Sequence, residues 1–286
     1  MQLNGRRMSN NVEDRRSSGK GALIGGIGGG GVIIALLIAL LTGQDPQQVI
    51  DSGIVGGQQQ TEQQYTPTAE EEELANFSRK ILAGTEDVWT QVFAQMGKEY
   101  TPPTLVLFTD AVQSGCGNAS KQSGPFYCSA DEKLYIDLSF FSSMKKDLGA
   151  DGDFAYAYVI AHEVGHHVQH LLGILDQAHR QMARLDQTEA NKISVKIELQ
   201  ADFLAGVWGY YDNQIFGSLE KGDVEEAIQC ASVIGDDYLM KKSYGYEIPE
   251  SFNHGRSEWR MRWLMKGLTT GDLSQGDTFS VPYDQL

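Results

Sequence analysis

The sequence contains little cysteine and little positive charge. Three cysteines among 286 residues, none of them in a CxxC pair, exclude a disulfide-dense miniprotein and give no support to a zinc ribbon. The 23 lysines and arginines are outnumbered by 38 aspartates and glutamates, for a formal net charge of −15. Because so acidic a chain repels a phosphate backbone, we expect no nucleic-acid partner. The hydrophobic fraction of 41% excludes a wholly disordered chain and indicates a globular core.

Charge is absent from residues 21–41, whose sequence is GALIGGIGGGGVIIALLIALL. As a helix this segment would be about 31 Å long, enough to cross the hydrocarbon core of a membrane. Five cations lie within residues 1–20, and the next one after the segment is Arg79. The positive-inside rule therefore predicts a basic cytoplasmic segment at 1–20, a transmembrane helix at 21–41 and a body outside the cytoplasm. A cleaved signal peptide is the alternative, although no clear small-x-small cleavage site follows Leu41.

The remainder divides into a linker and a folded body. Residues 42–69 are rich in Gln, Gly, Thr and Pro and are predicted to form a flexible linker. From residue 70 the spacing of apolar residues predicts one mostly helical α+β domain with a small β-sheet, over 70–286. Helices are expected at 70–97, 153–172, 189–212, 223–241 and 257–267, and strands at 104–110 and 133–138. The second strand, KLYIDL, is a candidate edge strand for pairing with an extended substrate.

Two cysteines, Cys116 and Cys128, frame a short loop between the predicted strands. A loop of this length, in a segment predicted to lie outside the cytoplasm, can close as a disulfide, and this is the pairing that we expect. Two free thiols are the alternative. Cys230 falls in a helical pattern and is interpreted as a small buried apolar residue.

Four of the six histidines lie within nine residues, in the segment HEVGHHVQH (162–170). Residues four apart in a helix share one face, so His162 and His166 can bind one metal ion, and Glu163 can approach a metal-bound water from the side. Zinc accepts such ligands and lowers the pKa of its water, from which the Glu can then take a proton. His167 and His170 are interpreted as rim or hydrogen-bonding residues. A core helix with solvated surface histidines is the alternative.

A catalytic zinc ion usually requires a third protein ligand. The longer pattern HExxHxxGxxH fails, because Gln169 and Leu172 stand at its Gly and His positions. A carboxylate on a later helix is then required, and the candidates are Asp186, Glu189, Glu198 and Asp202. Glu198 and Asp202 are one turn apart, so Glu198 can bind zinc while Asp202 accepts the free N–H of a ligand histidine. A solvated acid pair is the alternative.

His254 directly precedes the last predicted helix. A histidine held in this position could stabilise the oxyanion that forms during peptide hydrolysis. A loop histidine without a functional role is an equally open alternative.

The sequence resembles a bacterial family of neutral zinc metallopeptidases over nearly its whole length. The segments that carry the resemblance are NVEDRR (11–16), GPFYC (124–128), YIDLSFF (135–141), HEVGHHVQ (162–169), ELQAD (198–202), IGDD (234–237) and HG (254–255). The family is similar to the gluzincins, in which the two histidines of HExxH and a glutamate of a downstream ExxxD helix hold zinc. The resemblance implies a gluzincin-like fold, with His162, His166 and Glu198 as ligands and Glu163 as the base.

These features predict a membrane-anchored, zinc-dependent endopeptidase that acts on a peptide or protein substrate. Zinc is the expected cofactor, and the N-terminal helix is the expected membrane contact. Two alternatives stay open. One is a non-catalytic, zinc-stabilised binding or scaffold protein at the membrane, and the other is a zinc amidase acting on cell-wall peptides.

Overall fold

The computed structural model describes residues 1–17 and 66–286. The strands are β1 (Val12–Asp14), β2 (Thr104–Phe108), β3 (Ala111–Ser114), β4 (Gly117–Ser120), β5 (Phe126–Cys128) and β6 (Lys133–Asp137). The helices are α1 (Ala69–Gln95), α2 (Ser139–Ser143), α3 (Asp153–Leu171), α4 (Ile174–Met182), α5 (Gln187–Phe216), α6 (Asp223–Val233), α7 (Asp236–Tyr244) and α8 (Ser257–Thr270). The predicted mostly helical α+β architecture with small sheets is confirmed.

Helix α1 begins where the local sequence provides a cap. The Thr68 hydroxyl accepts from the Glu71 backbone N–H, and the Glu71 carboxylate accepts from the Thr68 backbone N–H. This reciprocal pair satisfies two donors that a helix start would otherwise leave unbonded. The apolar face of α1, which includes Leu82 and Trp89, is buried in the main core together with residues of α3 and α5.

Four strands form the main sheet in the order β1-β2-β6-β5, and β3 and β4 form a separate antiparallel pair. Strands β1, β2 and β6 run parallel, whereas β5 runs antiparallel to β6. The continuous apolar run Leu105–Phe108 of β2 is buried, as expected for a parallel strand covered on both faces. The prediction that KLYIDL is an edge strand is wrong, because β6 has a neighbour on each side. The edge strands are instead β1 and β5, each of three residues, which is too short to show a clear alternation.

The helix predicted at 223–241 is divided into α6 and α7. Gly235 lies between them against the start of α8, where a Cβ atom would sit 2.4 Å from the Ser257 backbone nitrogen. The next residue, Asp236, begins α7 and uses one carboxylate oxygen to accept from the backbone N–H groups of residues 253–255. The break therefore brings the IGDD segment against the loop that carries His254.

Residues 1–17 pack onto the body. Strand β1 pairs with β2, and the arginines of this segment are engaged in ion pairs. The Arg6 guanidinium donates to both oxygens of Asp212, at 2.7 and 3.3 Å, and Arg16 contacts Glu72 on α1 at 2.8 Å. The four arginines of residues 1–17, which the positive-inside rule places on the cytoplasmic side of a membrane, thus neutralise carboxylates of the same fold.

The predicted single-pass membrane location is contradicted. Among the helices at 66–286, and in residues 1–17, none is both long enough and apolar enough to cross a membrane. One crossing at 21–41 would also separate residues 1–17 from the body, whereas β1 pairs directly with β2. The 21–41 segment itself, and the predicted linker up to residue 65, lie outside the described residues.

Replacing Arg6 by alanine is expected to lower the free energy of unfolding by about 3–5 kcal/mol, because Asp212 would keep a buried charge without its cationic partner. Urea unfolding followed by tryptophan fluorescence measures the change. Arg15→Ala is the matched control: Arg15 pairs with the partly exposed Glu13, and its loss is expected to change stability by about 1 kcal/mol or less. Equal effects of the two substitutions would contradict the docking of residues 1–17.

Candidate metal centre

Three of the predicted site residues converge between α3 and α5. The Nε2 atoms of His162 and His166 lie 3.2 and 3.4 Å from the two carboxylate oxygens of Glu198. One potential ligand atom from each residue lies within 4.8 Å of the others. The structure therefore brings together two imidazole nitrogens and one carboxylate, a donor set that suits zinc.

The close approach of α3 and α5 makes this convergence possible. Gly165 lies between the two histidines and faces Ala201, and a Cβ atom at Gly165 would be 3.0 Å from the Ala201 carbonyl oxygen. Any larger residue would push the helices apart. With the two backbones in contact, Glu198, one turn before Ala201, faces both histidines.

The two other candidate carboxylates have structural roles. Asp186 is the N-cap of α5, where its side chain accepts from the Glu189 backbone N–H at 3.0 Å. The Glu189 carboxylate pairs with Lys192 on the surface. Both residues are therefore held near the start of α5, more than two turns before Glu198.

His162 is held by Asp202, as the sequence predicts. Its Nδ1 lies 2.8 Å from Asp202 Oδ1, and Asp202 is completely buried. The same carboxylate accepts two hydrogen bonds of 2.9 Å from Arg260 on α8 and one of 2.6 Å from the Tyr158 hydroxyl. Burial acts to raise the pKa of Asp202, but Arg260 and His162 hold it below its ordinary value. Sequence reasoning missed Arg260, because no spacing pattern connects it to α5.

His166 is held by an amide instead. Its Nδ1 lies 2.9 Å from Gln169 Oε1, and the Gln169 side chain is completely buried. In the sequence, Gln169 stands out only as a residue that breaks a longer zinc motif. Its position three residues after His166 on the same helix was the available signal.

Glu163 lies beside the ligands and faces the same cleft. Burial raises the pKa of the Glu163 carboxyl, against the opposing effects of His166 and His162. The backbone of Tyr127 on β5 acts weakly to lower the pKa of the same carboxyl. Strand β5 and the acidic side chain placed between the two ligand histidines therefore line the same cleft.

His167 is buried on α3, one turn after Glu163, and orients this edge strand. Its Nε2 lies 2.7 Å from the Thr101 carbonyl oxygen, so that nitrogen carries the proton. The other nitrogen then accepts from the Tyr127 hydroxyl at 3.0 Å. His170 is partly exposed and lies 3.2 Å from Asp176. Of the two predicted alternatives for His167, the structure shows hydrogen bonding, and burial excludes a rim position.

Two of the three cysteines close a loop that lines the cleft, and the third is buried. Cys116 and Cys128 form a disulfide with a Cα–Cα distance of 5.8 Å, which closes the loop between β3 and the end of β5. Residues of this loop line the cleft next to Tyr127. Cys230 is buried, with its sulfur 3.6 Å from the Met144 sulfur.

His254 also faces the cleft. Its Nδ1 lies 3.3 Å from Asp236, the residue that also binds the backbone of its loop. Burial acts to raise the pKa of Glu198, but His166, His162 and, more weakly, His254 hold it well below its ordinary value. The IGDD segment therefore positions a histidine close to the candidate ligands.

The cleft has a volume of about 680 Å³. The candidate ligands, Glu163 and His254 lie in its wall, and most of its remaining surface is apolar. Apolar side chains that contribute to it include Phe126, Phe140, Met144, Val159, Leu175 and Ile197. A cavity of this size and lining is typical of a binding site for a molecule with apolar groups.

Comparison with known proteins confirms the resemblance. The family described as "Putative neutral zinc metallopeptidase" matches residues 1–279. The uncharacterized protein YpfJ of Escherichia coli (strain K12) is 48% identical over 284 residues, covering 98% of this chain and 99% of YpfJ. The uncharacterized protein Rv2575 of Mycobacterium tuberculosis (strain ATCC 25618 / H37Rv) is 39% identical over 192 residues, 64% of each chain. No solved structure matches the chain.

Replacing Arg260 by methionine is expected to lower the free energy of unfolding by about 3–5 kcal/mol, because Asp202 would be left as a buried charge without its cation. The matched control is Arg262→Met on the same helix, where an exposed pair with Glu258 contributes about 1 kcal/mol or less. Urea unfolding of the metal-free protein compares them. If both variants were as stable as the wild type, the anchoring role of Arg260 would be refuted.

Proposed function

The chain belongs to the family described as putative neutral zinc metallopeptidase, and from this membership we propose that it is a zinc-dependent peptidase that hydrolyses peptide bonds. The observation that carries the proposal is the convergence of His162, His166 and Glu198 with Glu163 beside them in one cleft. The two nitrogens and one carboxylate are the ligand set, and Glu163 is the general base.

The donor chemistry of the site fits zinc. His162 and His166 each have Nδ1 in a hydrogen bond with a side-chain oxygen, which leaves Nε2 to bind a metal. Both Nε2 atoms face the Glu198 carboxylate. A bound zinc ion would polarise the carbonyl of the scissile bond and lower the pKa of water.

Glu163 moves the proton during hydrolysis. It takes a proton from the attacking water as the water oxygen bonds to the carbonyl carbon. The C–N bond then breaks, and Glu163 returns the proton to the leaving nitrogen.

His254 stabilises the negative charge that develops on the substrate carbonyl oxygen. Its hydrogen bond to Asp236 fixes the ring, and the Asp236 carboxylate also fixes the backbone on either side. A donor held in this way requires little reorganisation when the charge appears.

The cleft favours a peptide with apolar side chains. Its surface is mostly apolar, with side chains from β5, α2 and α4 in the same wall as the candidate ligands. A peptide bound in the cleft would place its carbonyl at the ligands and its apolar side chains against the apolar surface of the cleft. Polar backbone at the ligands and apolar contact with the rest of the cleft fit an unfolded protein segment.

Purified wild-type chain is expected to contain about one zinc ion per molecule, because one buried and two partly buried donors converge at one position. The Glu198→Ala variant is expected to lose most of this zinc. The Glu189→Ala variant, which removes a carboxylate near the start of the same helix, is expected to retain it. Elemental analysis after dialysis measures both. Zinc retained by Glu198→Ala would mean that Glu198 is not a ligand.

Glu163→Gln is expected to reduce peptide hydrolysis by about 10²–10⁴-fold while zinc content stays unchanged, because the amide cannot take the proton from water. Cleavage of fluorescently labelled unfolded casein, with the zinc content measured in the same samples, tests this. Equal turnover by wild type and variant would remove Glu163 from the mechanism. A zinc-loaded wild type that leaves the casein and a pool of apolar peptides uncut would contradict the peptidase proposal.

A further inference from the structure

The hydrogen bond that holds His166 is the first of a series of hydrogen bonds that crosses α5 and reaches the C-terminal part of the polypeptide. Gln169 Nε2 donates to the Ile197 carbonyl oxygen at 2.8 Å and to Gln200 Oε1 at 3.0 Å. Gln200 Nε2 in turn donates to the Gly276 carbonyl oxygen at 2.9 Å. Two side chains therefore connect a candidate zinc ligand to the C-terminal segment, which we define as residues 272–281.

The Gly276 carbonyl, at the far end of this series, fixes the direction of every hydrogen bond in the series. The Gly276 carbonyl can only accept, so Gln200 must present its amide N–H there and its oxygen to Gln169. Gln169 must then present its N–H to Gln200 and its oxygen to His166. Because that oxygen can only accept, His166 must carry its proton on Nδ1, and Nε2 is left unprotonated towards Glu198.

Burial makes this orientation of the two glutamine amides strongly favoured over the reversed one. The Gln169 side chain is completely buried and Gln200 is 7% exposed, so water does not compete for their amide groups. Reversing either amide would place two oxygens or two N–H groups against each other in the interior. An unsatisfied buried polar group is unfavourable enough to keep the arrangement in one orientation.

The C-terminal segment is itself anchored on α5. The Thr278 hydroxyl donates to the Lys196 carbonyl oxygen at 2.7 Å, and the Lys196 ammonium donates to the carbonyl oxygens of residues 279 and 281. Lys196 lies two residues before Glu198 on the same helix. The carbonyl of Gly276 is thus held in register with the part of α5 that faces the site.

We propose that Gln169 and Gln200 are positioning residues that use the Gly276 carbonyl to hold His166 in the tautomer that binds zinc. The C-terminal segment is then part of the metal centre although it contacts none of the ligands. The inference rests on the zinc site of the proposed function, but it is independent of whether the site hydrolyses peptides.

The test is the zinc affinity of the full chain, measured by competition with a zinc chelator. Gln169→Leu is expected to weaken affinity by about 10–100-fold, the range for loss of a group that orients a ligand histidine. Gln200→Leu is expected to weaken it in the same direction by about tenfold. Gln200→Glu, which keeps the shape but opposes an oxygen to the Gly276 carbonyl, provides a second variant if the leucine variant does not fold.

Asn191→Leu is the matched control. Asn191 is a buried amide on the same helix that donates to the Glu250 carbonyl oxygen and has no contact with this chain of hydrogen bonds. Its zinc affinity is expected to equal that of the wild type. Thermal unfolding of each metal-free protein shows whether the variants are folded.

A spectroscopic measurement separates positioning from a general loss of stability. In the zinc-loaded wild type, the His166 Nδ1–H is expected to exchange slowly with water in a side-chain ¹⁵N spectrum, and in Gln169→Leu it is expected to exchange fast. Wild-type affinity in both folded glutamine variants, or an equal loss in Asn191→Leu, would overturn the inference and leave the proposed function in place. A wild type that binds no zinc would overturn both.

Discussion

The contact between the backbones of α3 and α5 at Gly165 and Ala201 is the constraint on which the site depends. Each helix presents its functional side chains one turn apart, and each set alone is incomplete. The crossing joins two imidazoles from one helix to one carboxylate from the other. Since helix separation is fixed by the absence of a side chain at Gly165, the geometry of the site follows from packing and does not require flexible loops.

The two ligand histidines are held by different kinds of partner, and the difference has an electrostatic consequence. His162 faces a buried carboxylate whose charge is balanced by Arg260, whereas His166 faces a neutral amide. A second buried carboxylate next to Glu198 would add a negative charge that the interior would have to neutralise. One histidine is therefore oriented by an ion pair and the other by neutral amides. Both rings are held in this way, and Arg260 is the one buried cation that the arrangement requires.

The sequence predicts those parts of the site that depend on local periodicity. His162, Glu163 and His166 follow from helical spacing, and so does the pair Glu198 and Asp202, because residues four apart share a face. Arg260 and the edge position of β5 depend on contacts between distant residues, which leave no spacing pattern. The assignment of residues 1–20 to the far side of a membrane failed for a related reason. A group of arginines has the same composition whether it faces lipid headgroups or pairs with distant carboxylates such as Asp212.

The docking of the first residues onto the body imposes an order on folding during synthesis. The amino-terminal segment leaves the ribosome first, yet Arg6 and its partner Asp212 are separated by 206 positions. At roughly 5–20 residues per second, synthesis of that interval takes on the order of ten seconds or more. Throughout this time Arg6 lacks its partner Asp212, although β2 and the α1 partners of Arg7 and Arg16 are made before Asp212 is. The segment can therefore dock in two stages, first on β2 and α1, and on α5 only after residue 212 has been made.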